Sequence, residues 1–533
     1  MAAASGPTCM RAIVWMVLAA FLNTTVAPAA VAAALPSPAA PAPSAAAPRP
    51  TASAAAPPPL PPIPLTTDLP SALESQLPGL GSPASAALPF HEQYQIGYEM
   101  MLQLRAQHRL LQDPEVEEYL NSIGRRLAAQ SHLGAATFHY LCINTPVVNS
   151  EAALGHFVFI NSGLILFTDT ESQLAAVMAH ETAHEVQNHI ARKILNAQHA
   201  NIDSLAGMFA AILLGAAGGG GGQAIAGGVV ASQGLAQQEQ IDYSRSVEEE
   251  ADRVGLELMA AAGFDPEGMP QMFEKLMRLQ GLQGAWVPAV LIGHPMTAAR
   301  IAYSQAHAAQ YPPVPDTSSP DYYIIKARIR VITARPGQHV ERYYARRIAA
   351  GIHSIGTEYG YALALMRNDQ AQRAVPILTR LLQEHPELHL LYSALGQAQA
   401  RAGQMRQALA TFAQAKRLFP LNVPVTVRYA QTLMLAGKYA QAHRMLNSLF
   451  NVVEPTLSEI RLTARAAGAA GDLGGAYSDM GQYQLAVGNL PLAAKQFEIA
   501  LTMPNLNNVQ RARISAQLKQ VRNYLAVLRA RKD

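Results

Sequence analysis

Apolar and polar positions divide the chain into stretches of different kinds. Ile13 to Leu22 form a short unbroken apolar run, preceded by Arg11 and followed by the small residues Ala27 to Ala34. This order of basic, apolar and small-residue segments predicts a secretory signal over residues 1–34, with an uncleaved anchor as the alternative. The run falls short of the ~20 residues of a membrane span. Residues 35–85 are rich in Ala, Pro and Ser and include Pro57-Pro58-Pro59-Leu60-Pro61-Pro62. They cannot build a core and predict a disordered or extended tether. Folded material is expected from about residue 86. There Glu171 to Ala179 predict the start of a helix. Asp169 or Thr170 suits its cap, and Thr170 with Gln173 has capping-box spacing. Past Tyr322 and Tyr323 the pattern becomes helix–turn–helix.

The last third repeats. Ala374, Ala408 and Ala442 are spaced by 34 residues, Gly403 and Gly437 share that interval, and so do Pro386 and Pro420. Pro455 comes 35 residues after Pro420, which predicts a slightly longer third loop with the helix still in phase. A 34-residue period with small residues at helix contacts and Pro after the second helix is the tetratricopeptide signature. A degenerate unit follows with Gly488, Ala493, Phe497 and Pro504, and Val509 to Leu528 predict a capping helix with a basic outer face. Such units bury their apolar sides only against their neighbours and stack into a curved rod, whose concave face suits extended peptides or partner proteins.

At 533 residues the chain is too long for one core. Half of it is apolar and 14% is charged, with much Ala and Leu, so a mostly helical structure is expected. A formal charge of +3 and the lack of a basic stripe exclude nucleic acid as a partner. Cys9 and Cys142 are the two cysteines, and removal of the signal would leave Cys142 alone, with no internal disulfide to form.

The chemistry concentrates in His180-Glu181-Thr182-Ala183-His184. Four residues make about one helical turn, so both imidazoles leave the same face and can hold one ion. Glu181 is offset toward the water bound to that ion and suits a general base. Zinc would polarise the scissile carbonyl and make that water a nucleophile toward it. A third ligand must come from elsewhere, and Ser244-Arg245-Ser246-Val247-Glu248-Glu249-Glu250-Ala251-Asp252 is the best source. Glu248 and Asp252 are one turn apart, as ligand and as orienting carboxylate. On pattern alone Glu249 and Glu250 compete for the ligand role. His189 lies five residues past His184, about 140° further around a helix, which predicts a structural or surface role.

These two segments, about sixty residues apart, resemble those of the HtpX-like zinc metalloprotease family, which includes periplasmic members with C-terminal tetratricopeptide repeats. The resemblance implies Glu248 as third ligand and Asp252 behind it, with one zinc ion per chain. It also implies a strand edge near the site. There the family pattern is close to Asn-Ala-Phe-Ala-x-Pro-Gly-Gly, and this chain has Ser150, Glu151, Leu154 and His156 in place of Ala, Phe, Pro and Gly. An exposed edge strand would hold an extended substrate by strand addition. Gly293-His294-Pro295 and Arg300 resemble an element in which the histidine takes the open metal position and restrains activity, while Arg300 braces the site through ion pairs.

The expected fold is thus mostly α. It comprises a helical zincin-type metalloprotease domain with a small β-sheet over residues 86–315, connecting helices over 316–355, and an α-solenoid of tetratricopeptide repeats over 356–530. Residues 201–236, with Gly218 to Gly222, form an Ala/Gly-rich insertion, expected as two short packed helices or, alternatively, a lid or membrane-contacting hairpin. The resemblance implies an exported endopeptidase of the periplasm, peripheral to the outer membrane. It would act on misfolded or stalled outer-membrane proteins and meet the barrel assembly machinery through its repeats. The rival expectations are a chaperone or scaffold with a latent peptidase site, and a membrane-embedded protease.

Overall fold

The computed structural model describes residues 88–134, 138–197, 234–282, 294–312, 314–315, 318–504 and 506–530. The signal, the tether and all but the last three residues of the insertion lie outside them. None of the described helices is long and apolar enough to cross a membrane.

The first part is built on α1 (Phe90–Ala106), α2 (Pro114–Ala128) and three strands, β1 (His139–Ile143), β2 (Ser150–Ala153) and β3 (Phe157–Asn161). The sheet order is β1-β3-β2, with β1 parallel and β2 antiparallel to β3, so β2 lies at an edge. All five residues of β3 are buried, the apolar Phe157 to Ile160 and the polar Asn161 alike, as in a strand covered on both faces. A short helix, α3 (Ser162–Phe167), leads into α4 (Glu171–Val186).

Helix α4 is buried along its whole length, which explains its many small residues: it is surrounded, not laid on a surface. Thr170 caps it by accepting from Gln173 N. The Gln173 side chain returns to Asp169 N at 2.8 Å, one residue earlier than a capping box requires. Glu171 sits in the first turn, where the helix dipole favours an anion, and accepts from Tyr119 Oη, Ser319 Oγ and Ser319 N. Tyr140 Oη lies 2.9 Å from Thr182 Oγ1 and ties β1 to the middle of the helix. Around α4 pack α5 (His189–Ala197), α6 (Gly234–Ala261), α7 (Gly268–Leu282) and α8 (Ala298–Ala308), α8 through α6 and α7. A Cβ at Gly255 of α6 would stand 3.2 Å from His180 N, so glycine lets α6 approach α4 closely.

After α9 (Pro320–Ile332) and α10 (Val340–Ala349) come the repeats. Their first helices are α11 (Ile355–Arg367), α13 (His389–Arg401), α15 (Val423–Leu435) and α17 (Leu457–Ala469). Their second helices are α12 (Ala371–Glu384), α14 (Met405–Leu418), α16 (Tyr439–Phe450) and α18 (Leu473–Ala486). Both series begin 34 residues apart at every step, so the period read from Ala374, Ala408 and Ala442 is structural, and all three are fully buried. The turn inside each pair takes a left-handed residue at Asp369, Gly403, Gly437 and Gly471. Helix α16 stops early at Phe450 while α17 starts on schedule, which is the longer third loop. Helices α19 (Leu490–Thr502) and α20 (Asn508–Ala530) close the stack, with Ala493 and Phe497 fully buried.

Buried residues from Val116 to Ala398 form one continuous core, so the first repeats share the core of the part around α4. Two arginines reinforce that union. Arg328 of α9 donates to both Asp113 oxygens at 2.7 and 2.8 Å, and Arg428 of α15 donates to Glu115 and Asp113 at 2.6 and 3.0 Å. At the other end Tyr98 Oη of α1 donates to Ala486 O of α18 at 2.6 Å.

Candidate metal centre

Four side chains from three segments converge: His180 and His184 from α4, Glu248 from α6, and His294 just ahead of α8. One ligand-type atom from each lies within 4.8 Å of all the others. The two α4 imidazoles face one another with Nε2 atoms 3.0 Å apart. His294 Nδ1 stands 3.2 Å from His180 Nε2 and 3.1 Å from each Glu248 oxygen. Glu248 Oε2 and Oε1 lie 3.5 and 3.6 Å from His180 Nε2 and His184 Nε2. Two imidazoles, a carboxylate and a third imidazole at such separations form a donor set of the borderline nitrogen–oxygen kind.

The electrostatics favour positive charge at this spot. Burial disfavours protonation of His180, but the Asp252 and Glu248 carboxylates outweigh it and push its pKa up to about 10. Burial acts to raise Glu248, and the charge of His294 and the bond to His180 overcome it, holding the carboxyl well below its ordinary range. His184 moves the other way, kept neutral by burial and then by the charge of His180.

Behind the cluster each helical histidine has its own support. His180 Nδ1 lies 3.0 Å from Asp252 Oδ1, an ion-pair contact without hydrogen-bond alignment. Asp252 is in turn gripped by Arg300, whose Nη1 also reaches Pro295 O at 2.9 Å and Glu248 Oε2 at 3.1 Å. Arg300 therefore braces the site as expected. His184 Nδ1 lies 2.9 Å from His189 Nδ1, and His189 Nε2 lies 3.2 Å from Glu250 Oε2, which also accepts from Arg192 at 3.1 Å. His189 is buried, so the surface alternative does not hold for it. Of the acids that compete with Glu248 on pattern, Glu249 faces solvent and Glu250 belongs to the His189 chain.

Glu181 is 1% exposed and stands beside the cluster. Its Oε1 accepts from Ser150 Oγ at 2.7 Å and its Oε2 from Ala152 N at 2.9 Å. His294 Nε2 is 3.7 Å from Oε1. The edge strand predicted beside the metal is β2, but it is not exposed. Ser150, Ala152 and Ala153 are buried, and the outward Ala152 N–H is already taken by Glu181, because α4 packs directly on the strand.

Sequence reasoning missed Ser150 as a partner of Glu181, and His189 with Glu250 behind His184. The signal for the second was present, since a histidine so soon after a pair of ligand-spaced histidines is a natural outer partner.

Comparison with known proteins places this cluster in context. Residues 114–307 match the model of peptidase family M48. The chain is 28% identical over 448 residues to the beta-barrel assembly-enhancing protease of Escherichia coli K12, covering 84% of this chain and 91% of that protein. It is 31% identical over 312 residues to the protein of that name from Yersinia pestis, covering 58% of this chain and 63% of that one. Over 173 residues it is 28% identical to the mitochondrial metalloendopeptidase OMA1 of Arabidopsis thaliana, covering 32% and 33%. All four clustered side chains fall inside residues 114–307, the span similar to peptidase family M48, and the chain is a metalloendopeptidase.

Proposed function

We propose that this chain is an exported, zinc-dependent endopeptidase of the periplasm that degrades misfolded or stalled outer-membrane proteins and assists their assembly. The observation that carries the proposal is the convergence of His180, His184, Glu248 and His294 beside Glu181. His180, His184 and Glu248 would hold the zinc, which suits two imidazoles and a carboxylate. Bound zinc supplies Lewis acidity toward the peptide carbonyl and acidifies water. Glu181 takes the proton from that water as general base and returns it to the leaving amine. Asp252 fixes the His180 ring from behind. Residues 86–315 would be the catalytic part and residues 356–530 the part that presents clients or docks on the barrel assembly machinery. The names of the Escherichia coli and Yersinia pestis relatives support this setting.

A second reading, a chaperone or scaffold with a latent site, is favoured by His294. Its ring contacts both His180 and Glu248, where a substrate oxygen would need room. We infer that His294 serves as a fourth ligand that restrains the enzyme. The test is cleavage of an unfolded outer-membrane barrel protein by the wild type, Glu181→Gln and His294→Ala, with zinc content measured for each. A self-restrained protease loses cleavage with Glu181→Gln at unchanged zinc and gains it with His294→Ala. Stable client complexes with no cleavage by any of the three would shift the function to the scaffold.

A further inference from the structure

We propose that Ser150 is a positioning residue for Glu181, holding the carboxylate in the one orientation from which it works as the base; this rests on the role given to Glu181 above. Glu181 is received by a single strand. Two positions of β2 face it, Ser150 through its hydroxyl and Ala152 through its backbone N–H, one donor for each carboxylate oxygen. The two bonds differ in origin. The Ala152 N–H is present whatever the side chain, whereas the bond at Oε1 exists only because residue 150 carries a hydroxyl.

The donor is well placed for this task. Ser150 is paired with Ile160 of β3, so its hydroxyl is carried by a strand held in register. It is 2% exposed, so bulk water does not stand ready to replace it. A charge-assisted hydrogen bond of 2.7 Å to a buried carboxylate is of the strong kind. Without it Glu181 would keep one strand contact and could turn about its terminal torsion, a broad twofold rotor in free side chains. His294 stands near the oxygen so released, with Nε2 at 3.7 Å, and a turned carboxylate would be drawn to it and away from the reacting water.

The test uses the full mature chain with zinc content and unfolding midpoint measured for every variant. Peptide or unfolded-barrel cleavage is followed for the wild type, Ser150→Ala, Ser150→Val, Ser150→Thr and Glu181→Gln. Thr and Val match in shape and differ in the hydroxyl, so their comparison reads the bond at constant packing even where Ala perturbs folding. The expected result is a fall in kcat on the order of tenfold for Ala and Val. KM should stay within about twofold, zinc should be unchanged, and Thr should recover most of the loss. Wild-type kcat in Ser150→Val, or equal losses in Val and Thr, overturns the inference while leaving Glu181 as the base. Cleavage that survives Glu181→Gln overturns the base assignment itself.

Discussion

Arg300 grips Asp252 with both arms of its guanidinium, Nε 2.7 Å from Oδ2 and Nη2 2.7 Å from Oδ1. Asp252 is fully buried and Arg300 nearly so, which makes the pair a structural joint between α6 and α8. Removing Arg300 leaves Asp252 buried with only His180 beside it, so the loss falls below that of a pair left with no partner, at about 2–3 kcal/mol. Arg300→Ala should therefore lower stability by about that much in chemical denaturation. Arg300→Lys keeps the charge but not the fork, and should fall between the two. Equal stability of Arg300→Ala and wild type would mean that the pair holds nothing.

His184 depends on a different support. The chain His184–His189–Glu250–Arg192 holds the His184 ring from behind at Nδ1, which leaves its Nε2 for the cluster. His189→Ala is expected to weaken zinc affinity by about 10–100-fold, as outer partners of ligating histidines typically do. Competition with a chromogenic chelator measures it directly. Glu249→Ala, exposed on α6 beside Glu250, is the control and should leave affinity unchanged.

Why the sequence revealed one support and hid the other is a matter of local geometry. Glu248 and Asp252 are one turn apart on a continuous helix, so spacing alone puts them on one face. His189 was placed by the same rule about 140° away from His184. The rule fails because α4 ends at Val186 and Asn188 takes a left-handed φ of 53°, turning the chain so that α5 brings His189 back under the site. Asparagine tolerates that conformation better than most residues, but nothing else marks the turn. The repeats were legible for the opposite reason: each unit contacts its neighbours, so a 34-residue period in sequence is a period in space. Even there the first turn was invisible, since Asp369 occupies the place that Gly403 and Gly437 hold in the next two. Contacts between distant segments left no trace. Ser150 and Glu181 are 31 residues apart, and Arg428 and Asp113 are 315.

The longer of these two contacts gives the third prediction. Asp113 and Glu115 share Arg328 and Arg428, four charges in one buried cluster joining α2 to the repeats. Because Arg328 remains when Arg428 is removed, Arg428→Ala should cost about 2 kcal/mol, less than a pair left with no partner. A double-mutant cycle with Glu115→Ala should return a coupling of at least about 1 kcal/mol. Additive effects would show that the two groups merely lie near each other. Burial acts to raise Asp113, but the charges and bonds of Arg328 and then Arg428 hold its pKa below the ordinary value. A depressed folded pKa contributes stability that is complete above about pH 4 and fades only as pH falls through the depressed value. The joint should therefore persist at pH 5.

Glu117, two residues further along α2, has the opposite sign. Burial and the charge of Glu459 on α17 push its pKa up to about 7, against a smaller opposing pull from Arg105. For a carboxyl with a raised folded pKa, the folded state binds more protons than the unfolded state between the two values. Its contribution is therefore fully present below about pH 4.5 and is lost as pH rises through about 7. Glu117→Gln removes the titration and keeps the shape. The variant should match wild type near pH 4.5 and exceed it at pH 8. The side chain is partly exposed, which limits the expected difference to on the order of 1–2 kcal/mol. Urea denaturation of both proteins across that range measures it. Taking the difference cancels the pH dependence of the metal site, which both proteins share. Parallel stability curves would mean that Glu117 is already ionised and that the approach of Glu459 costs nothing.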